Sequence, residues 1–310
     1  DIVFSIPTEL YKIYKDFDNI ETLGRQELYY SYLGFKMGKY DKAKGENVVN
    51  PNAKMADLKL RQALAYGLDI NQMVKAFYDG LREKATSSVP PVFGKYYPKA
   101  LAGFPYDPEK AKKLLDEAGY KDIDGDGYRE NKNGEQFEVN VAVMSGGEIS
   151  KELLNYYLEQ WDKIGIYAVP SRDMLMGFYE FYDRIENDDP EIDVFFAAWG
   201  VGTDLDEMRA KGPRSQLNYT RFVSDENNRL MAEISSPRTL ENSDYRVEAY
   251  KKWQKYYINQ AVEVPLTYKY EIIPVNKRVK NYYIGYDANS KGRGVEQWEL
   301  TAEEPIKASK

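Results

Sequence analysis

The sequence predicts an α/β fold in which a mixed, largely parallel sheet is flanked by helices. Apolar runs of strand length alternate with amphipathic helical patterns along the chain. One run, residues 192–199, is apolar almost throughout and is flanked by Pro190 and Gly200. Alternating strands and helices imply right-handed crossovers and parallel pairing. A continuous apolar run is typical of a central strand that is covered on both faces.

The individual elements follow from apolar spacing and from cap residues. The best-marked helix begins after Asp107, has Pro108 in its first turn and ends at Gly119. Further helices are predicted after Thr8, after Asp57 and after Asp69, and over residues 148–164, 174–186, 224–235 and 240–260. Strands are predicted over residues 2–6, 28–35, 136–144, 166–169, 192–199, 264–275 and 282–286. Segments 36–56 and 85–106 are predicted to be loop, because they are polar or rich in proline and glycine, and the tail 287–310 is polar.

Composition excludes several classes of function. The chain has 310 residues, 50 acidic and 43 basic side chains, a net charge of −7, and neither His nor Cys. It therefore has no disulfide framework, no Ser-His-Asp triad, no Cys nucleophile and no ordinary zinc or haem ligands, so no cofactor is predicted. An acidic chain without a Lys/Arg cluster is not expected to bind nucleic acid. The 28 tyrosines suit a wet, adaptable binding cleft.

The end of the apolar run carries the first candidate site. Trp199 is followed by Gly200, Gly202, Asp204 and Asp206. Ligands of open α/β sheets bind outside the carboxyl ends of strands, and small residues there let a ligand backbone approach closely. An Asp in this position could pair with a cationic amine. The alternative is a core tryptophan followed by a flexible loop, and the sequence leaves both interpretations open.

A second candidate is the turn that contains Asp122, Asp124 and Asp126. Acidic residues at alternate positions before a glycine resemble the start of a Ca²⁺-binding loop. Position 12 of such a loop would be Asn133 instead of Glu, and a strand follows where an EF-hand has a helix. The favoured interpretation is therefore a tight turn in which Asp side chains accept backbone N–H groups, with a weak Ca²⁺ site as the alternative.

Paired acids such as Glu207 with Asp204, or Glu186 with Asp188, could serve as the acid and nucleophile of a glycoside hydrolase. Carboxylate pairs are common in a chain with 50 acids. Solvated surface charge is the favoured explanation, so the chain is predicted not to be an enzyme.

Several phrases occurring in a fixed order resemble one family. They are residues 60–69 (LRQALAYGLD), 85–91 (ATSSVPP), 106–120 (YDPEKAKKLLDEAGY), 124–127 (DGDG), 164–166 (IGI) and Trp199. Together they resemble the C-terminal half of an oligopeptide-binding protein, the substrate-binding lipoprotein of a peptide-importing ABC transporter. The resemblance runs over nearly the whole chain.

The resemblance implies the second lobe of a two-lobed, type II periplasmic-binding-protein fold. Residues 1–35 would be a hinge and a remnant of the first lobe, 36–263 the second, ligand-binding lobe, and 264–310 the return hinge strands and a tail that joins the first lobe. Tyr30, Tyr32, Tyr268 and Tyr270 would lie in the hinge. The signal sequence, the lipid-anchoring Cys and most of the N-terminal lobe would be absent from this chain.

The resemblance also implies a ligand and partners. Ala198, Trp199 and Gly200 would bind the main chain of an oligopeptide by strand-like hydrogen bonds. Enteric members hold the ligand's α-amino group with an Asp three residues after the Trp, where this chain has Gly202; Asp204 is the nearest substitute and Asp206 the next. The implied partners are an ABC permease and the first lobe, with membrane contact only through a lipid anchor. The family also includes carriers of nickel, haem, pheromones and oligosaccharides, and an oligosaccharide carrier is the alternative.

Overall fold

A computed structural model of the chain describes residues 1–4, 6, 8–147, 149–283 and 295–309. Its strands are β1 (Ile20–Phe35), β2 (Gly38–Asp41), β3 (Glu46–Val49), β4 (Arg82–Lys84), β5 (Glu138–Val143), β6 (Tyr167–Pro170), β7 (Val194–Gly200), β8 (Glu263–Asn276), β9 (Val279–Lys280) and β10 (Glu299–Leu300). Its α-helices are α1 (Thr8–Tyr14), α2 (Leu58–Tyr66), α3 (Ile70–Phe77), α4 (Pro108–Ala118), α5 (Ser150–Asp162), α6 (Phe178–Glu186), α7 (Glu207–Lys211), α8 (Asp225–Ile234), α9 (Arg238–Glu241) and α10 (Ser243–Asn259). Short 3₁₀ turns cover Lys54–Ala56, Pro91–Tyr96, Ser171–Asp173 and Val295–Gln297.

Six strands form a mixed sheet in the order β4-β8-β1-β7-β5-β6, which confirms the predicted mixed α/β sheet. The sheet is less parallel than the alternation of strands and helices predicted. β5 runs parallel to both β6 and β7, but β1 pairs with β7 in the antiparallel sense. The parallel part is the βαβ region that the pattern identified, whereas β1 and β8 are long strands whose direction no local pattern encodes.

The chain divides into two compact units. The smaller unit comprises residues 1–27, 74–83 and 268–310, and the larger comprises 28–73 and 84–267. Two buried clusters form the core of the smaller unit, one around Ile6, Leu81 and Ile272 and the other around Ile273, Val275 and Val279. The predicted division into a first-lobe remnant, a second lobe and a return hinge stays a prediction.

The larger unit is organised around buried apolar faces of the sheet. Leu33, Val141 and Phe195 are inaccessible to solvent, and so is Trp161 of α5. The indole Nε1 of Trp161 donates a hydrogen bond to the carbonyl oxygen of Leu64 at 2.9 Å, so this buried ring also satisfies its one donor. The ring centres of Tyr157 and Trp161 of α5 lie 3.8 and 6.1 Å from that of Phe196, so α5 covers part of the apolar run of β7.

Capping residues fix the helix ends that the sequence marks. Asp57 accepts hydrogen bonds from the backbone N–H groups of Lys59 and Leu60 at the start of α2. Asp107 accepts one from Lys110 at the start of α4, and Gly119 ends that helix with φ 90°. The left-handed conformation at Gly119 suits glycine, because a side chain would be strained there.

Three predicted segments differ from the structure. Ile2 makes an isolated bridge to Val275, and the described positions of the predicted strand 2–6, residues 2–4 and 6, are not assigned to a strand. The predicted loop 36–56 contains the β2-β3 hairpin. Gly38 is essential there, because a Cβ atom at this position would lie 2.0 Å from the carbonyl oxygen of Val48. The sequence prediction missed this hairpin because it relied on apolar spacing, and a close approach of two backbones leaves no such pattern.

The third difference concerns the end of the chain. β9 and β10 pair with each other, so the polar tail contributes a short strand. The predicted strand 282–286 lies partly outside the described residues, and its described positions, Tyr282 and Tyr283, are not in a strand. None of the described helices combines the length and the apolar character that a membrane span requires.

Candidate functional site

The carboxyl end of β7 has one strand neighbour fewer than its beginning. β5 pairs with β7 only from Val194 to Phe196. β1 continues beside β7 as far as Gly200, opposite Tyr29. Within the part of the chain that the structure describes, residues 197–200 therefore have a paired strand on one side and no assigned strand on the other.

The ladder with β1 determines which backbone groups face the open side. The N–H of Val201 donates to the carbonyl oxygen of Leu28 at 2.8 Å. Hydrogen-bonded pairs alternate along an antiparallel ladder, so Trp199, opposite Tyr30, also points its backbone groups toward β1. The N–H and C=O groups of Ala198 and Gly200 consequently point toward the unpaired side. An extended peptide could add to the sheet through these two residues.

Trp199 is half-buried and lines a small cleft of about 100 Å³. The Arg209 guanidinium lies 5.8 Å from the centre of the indole ring, within the distance of a cation–π contact. The cleft is lined by Tyr30, Ser88, Trp199, Val201, Gly202, Asp204, Asp206, Glu207 and Arg209. Four of the six predicted ligand-binding residues are thus brought together here, whereas Ala198 and Gly200 contribute backbone groups at the strand edge.

The two candidate amine-binding acids already have partners. Asp204 is 83% exposed and forms an ion pair with Arg246 at 3.0 Å. Asp206 caps α7 by accepting a hydrogen bond from the N–H of Arg209 at 3.1 Å. Gly202, at the position where the enteric members have an Asp, has φ +75°, a conformation that favours glycine. The backbone turns here, and no acidic side chain is present. Recognition of a ligand amine by Asp204 or Asp206 stays a prediction.

The sequence interpretation missed a buried ion cluster beside this cleft. The Nζ of Lys211 lies 3.0 Å from Glu207 Oε2 and 3.4 Å from Glu263 Oε2. All three side chains are more than nine-tenths buried. We call Glu207, Lys211 and Glu263 the Lys211 cluster. Its only sequence signal is the four-residue spacing of Glu207 and Lys211, which is common on exposed helix faces.

Aromatic rings and hydroxyl groups surround the Lys211 cluster. The ammonium of Lys211 lies 5.0 to 5.3 Å from the ring centres of Tyr30, Trp253 and Tyr257. The hydroxyl groups of Tyr30 and Tyr257 donate to the two carboxylate oxygens of Glu263, at 2.9 and 3.2 Å. The cluster holds two acids and one base. The two hydroxyl donors therefore stabilise the negative charge of Glu263 that Lys211 alone does not balance.

Burial and neighbouring charge shift the titration of this cluster. Burial raises the pKa of Glu207, although the ammonium of Lys211 opposes the shift. For Lys211, burial disfavours the charged form, but the carboxylates of Glu207 and Glu263 outweigh it and raise the pKa of the ammonium. Burial, together with the charge of Glu263, raises the pKa of both Tyr30 and Tyr257 well above the ordinary value. The tyrosines therefore act as neutral donors.

The Asp/Gly turn forms a network of local hydrogen bonds. Asp122 accepts from the N–H groups of Gly125 and Gly127, at 2.7 and 3.1 Å. The carboxylate oxygens that lie within 4.8 Å of one another belong to Asp122, Asp124 and Glu130, so two of the three predicted acids are in this group, and the weak Ca²⁺ site stays a prediction. Asp126 instead accepts from the N–H of Tyr128 at 2.8 Å. The turn has the side-chain-to-backbone bonds that the favoured interpretation predicted.

The predicted hinge tyrosines are mostly buried. Tyr30, Tyr32 and Tyr268 are each at most 3% exposed, and Tyr270 packs against the Ile6, Leu81 and Ile272 cluster of the smaller unit. Tyr30 and Tyr32 lie in the larger unit, whereas Tyr268 and Tyr270 lie in the smaller one. The structure gives these side chains packing partners, and their role as hinge residues stays a prediction.

The acids proposed for a glycoside hydrolase are held in ion pairs or hydrogen bonds. Asp188 lies 2.5 Å from Lys36 and 2.6 Å from Arg221, and Glu186 accepts from the hydroxyl of Tyr219. Glu207 is buried against Lys211. The 100 Å³ cleft beside Trp199 is also well below the 300 to 1,000 Å³, roughly, that small-ligand sites occupy. This arrangement does not favour glycoside hydrolysis.

Comparison with known proteins identifies the relatives of this chain. Residues 1–210 match the family model described as bacterial extracellular solute-binding proteins, family 5 middle. The oligopeptide-binding protein OppA of Lactococcus lactis subsp. lactis (strain IL1403) is 30% identical over 291 residues, which are 93% of this chain and 48% of that protein. The oligopeptide-binding protein AppA of Bacillus subtilis (strain 168) is 26% identical over 272 residues, which cover 86% and 46% of the two chains.

A solved structure shows the same fold. Lactococcal OppA, complexed with an endogenous peptide in the closed conformation, superposes with a TM-score of 0.86 and 27% identity over 92% of this chain and 53% of that chain. This likeness confirms the type II periplasmic-binding-protein fold that the sequence implied. The chain spans about half the length of the relatives it matches.

Proposed function

Because the chain belongs to family 5 of the bacterial extracellular solute-binding proteins, we propose that it captures oligopeptides outside the cytoplasm for delivery to an ABC importer. The observation that carries this proposal is the unpaired side of β7 at residues 197–200. Hydrogen bonds to a peptide main chain give affinity without reading the side chains. A strand edge of this kind therefore suits a carrier of peptides with varied sequence.

We propose the following division of roles. Ala198 and Gly200 bind the peptide main chain, and the half-buried indole of Trp199 packs beside it. Since the chain spans about half of its relatives, a second lobe would supply the remaining contacts. Closure of the lobes on the peptide would then present the cargo to the permease. A lipid anchor in the complete protein would hold it at the cell surface, and no bond chemistry is involved.

Hydrogen exchange followed by mass spectrometry or NMR tests the proposal. A pool of mixed oligopeptides is added to the whole natural protein that carries this chain. We expect exchange to slow at the N–H groups of Ala198 and Gly200, while Trp199, already paired with Tyr30, changes little. The same peptides with N-methylated main chains are the control and should give no protection.

Two outcomes would contradict peptide capture. Equal protection by the N-methylated pool would show that main-chain pairing is not the mode of binding. Protection by an oligosaccharide pool, but not by peptides, would favour the sugar carrier. That alternative is not favoured, because Tyr30 and Tyr257 beside the cleft are buried and the half-buried ring of Trp199 already has the Arg209 guanidinium 5.8 Å from its centre.

The isolated 310-residue chain should bind peptides weakly. Ligand-driven closure requires a difference in affinity between open and closed states, and one lobe provides only part of the closed-state contacts. Calorimetric titration with the same peptide pool measures this. Submicromolar affinity in the isolated chain would show that the second lobe is not needed.

A further inference from the structure

A cleft of about 600 Å³ in the larger unit has an unusual lining. Lys95 and Lys99 come from the segment that follows the loop prolines, and Lys251 and Lys255 come from α10. The other residues that line the cleft are Gly94, Tyr97, Pro98, Ala100 and Leu101. Four lysines therefore contribute to the lining of this cleft, and no acidic residue does.

Two clefts of similar volume have a different charge balance. One, of about 750 Å³, is lined by Lys54 and Lys132 together with Asp57 and Glu138. Another, of about 660 Å³, contains three lysines and three aspartates. In a chain with a net charge of −7, a cleft with four bases and no acid is therefore not explained by average composition.

The cleft is held open by contacts that do not use its lysines. Gln254 Nε2 of α10 donates to the carbonyl oxygen of Tyr96 at 3.0 Å, and the rings of Tyr96 and Tyr250 pack edge to face at 5.5 Å. The hydroxyl groups of Tyr97 and Thr86 lie 3.1 Å apart. Because these contacts fix the segment against α10, the walls of the cleft are positioned without its lysine side chains. Lys251 pairs with Glu248, and the Nζ of Lys95 lies 5.8 Å from the ring centre of Tyr96, so an anion would compete for these two lysines.

The lysines on α10 are spaced so that their positive charges repel each other. Lys251 and Lys255 lie one turn apart on α10, where like charges repel. The Nζ of Lys251 has a carboxylate 3.1 Å away, from Glu248, but that residue lies outside the cleft lining. A bound anion would relieve the repulsion. Lysine binds phosphate as a compact point charge, and a phosphate monoester, with a charge of about −1.5 to −2 at pH 7, neutralises more of the four ammonium groups than a carboxylate does.

We propose that this cleft is a binding site for a phosphate ester that carries an apolar group. The phosphate contacts the four lysines, and the apolar group lies against Tyr97, Pro98 and Leu101. The volume lies within the range of small-molecule sites, roughly 300 to 1,000 Å³. The ester could be a soluble molecule or the headgroup region of a phospholipid, and both share this chemistry.

Titration with phenyl phosphate tests the site, with binding followed by NMR or calorimetry on the whole natural protein. We expect saturable binding, with benzoate and inorganic phosphate both weaker because each lacks one of the two features. The double variant Lys251→Ser/Lys255→Ser should weaken phenyl phosphate binding by about tenfold or more.

Lys112→Ser/Lys113→Ser is the matched control. Lys112 is 40% exposed and lies 3.1 Å from Glu109, three residues earlier, whereas Lys251 is 42% exposed and lies 3.1 Å from Glu248, also three residues earlier. This control should change the affinity by no more than about twofold. If Lys251→Ser/Lys255→Ser does not fold, Lys95→Ser/Lys99→Ser tests the same cleft from its other wall.

Phosphatidylglycerol vesicles distinguish the two sources, when they are mixed with protein released from the proposed lipid anchor. If the protein sediments with the vesicles and Lys251→Ser/Lys255→Ser on α10, the α10 variant, does not, the phosphate belongs to a lipid headgroup. If the protein binds phenyl phosphate but not the vesicles, the phosphate belongs to a soluble ester. Binding of neither probe, or equal weakening by the α10 variant and the control, overturns the proposal. Peptide binding at β7 is measured separately, so neither failure implies the other.

Discussion

Two buried ion clusters in the larger unit have opposite charge. The Lys211 cluster places one cation between two carboxylates. A second group, Lys36, Asp188 and Arg221, which we call the Asp188 cluster, places one carboxylate between two cations, at 2.5 and 2.6 Å. One therefore has an excess negative charge and the other an excess positive charge.

The surroundings of each cluster match its excess charge. Arg221 donates to the carbonyl oxygens of Glu186 and Gln216, and Lys36 donates to that of Ile185. The Lys211 cluster instead receives hydroxyl donors from Tyr30 and Tyr257. Acceptors surround the extra cation and donors surround the extra anion, as the cost of burying an unpaired charge requires. Only the Lys211 cluster reaches the Trp199 cleft, through Glu207.

The largest effect is expected for Asp188→Asn. This change leaves Lys36 and Arg221 buried without their shared anion. The free energy of unfolding should fall by about 3 to 5 kcal/mol, measured by urea denaturation at neutral pH.

Asp204→Asn is the control for that variant. Asp204 also pairs with an arginine, but its side chain is 83% exposed, so the loss should stay below about 1 kcal/mol. A similar loss in both variants would mean that burial does not set the value of these ion pairs.

Lys211→Met should be the next most damaging change. It leaves Glu207 and Glu263 buried without a cation, but Glu207, whose pKa is already raised by burial, can take up a proton. We expect a loss of about 3 kcal/mol at neutral pH by urea denaturation. Lys112→Met, at an exposed pair, should change stability by less than about 0.5 kcal/mol. Equal losses would show that the Lys211 cluster is not a charge-paired unit.

The two cluster variants should respond to pH in opposite directions. In Lys211→Met, the folded state binds a proton at Glu207 more readily than the unfolded state does, because the folded pKa is raised. Stability should therefore increase as pH falls from about 7 toward 5. In Asp188→Asn, the reverse holds at Lys36. Burial lowers the pKa of Lys36 to about 8 even beside Asp188, and removing that carboxylate lowers it further. Stability should then increase as pH rises from about 7 toward 9.

Urea denaturation across this pH range measures the two slopes against wild type. Circular dichroism confirms that each variant is folded at every pH. Parallel curves for the two variants would contradict the opposite excess charges that the structure assigns to the two clusters.

The sequence predicted the elements that local rules encode. Asp57, Asp107 and Gly119 mark helix ends through short-range geometry, and the apolar run before Gly200 marks a covered strand. The same reasoning placed Trp199 at the end of that strand. Each of these features depends on residues within a few positions of one another.

Long-range relations were not predictable from such rules. Glu263 meets Lys211 across 52 positions, and Lys36 meets Asp188 across 152. Nothing local distinguishes these charges from solvated ones. Asp188 and Arg221 also have positive φ angles, 57° and 59°, which sequence does not suggest for residues other than glycine. The direction of β1 relative to β7 depends in the same way on distant partners.

The smallest expected change in the free energy of unfolding comes from removing single tyrosine hydroxyl groups. Tyr257→Phe removes a donor to the buried Glu263, and Tyr219→Phe removes a donor to the exposed Glu186. Tyr257→Phe should reduce the free energy of unfolding by about 1.5 to 3 kcal/mol, because a buried carboxylate loses a donor that water cannot replace. Tyr219→Phe should cost about 0.5 to 1 kcal/mol. Thermal or urea unfolding of both variants measures the difference.

Distance alone would rank these two variants the other way. The Tyr257 bond is 3.2 Å long and the Tyr219 bond 3.0 Å, so a ranking by length makes Tyr219→Phe the more damaging change. The proposed ranking depends on solvent access, since water can replace the lost donor at Glu186 but not at Glu263. If Tyr219→Phe proves the more damaging, the hydroxyl groups around Glu263 do not compensate its charge, and the excess negative charge of the Lys211 cluster must be neutralised by a proton on one of its two acids.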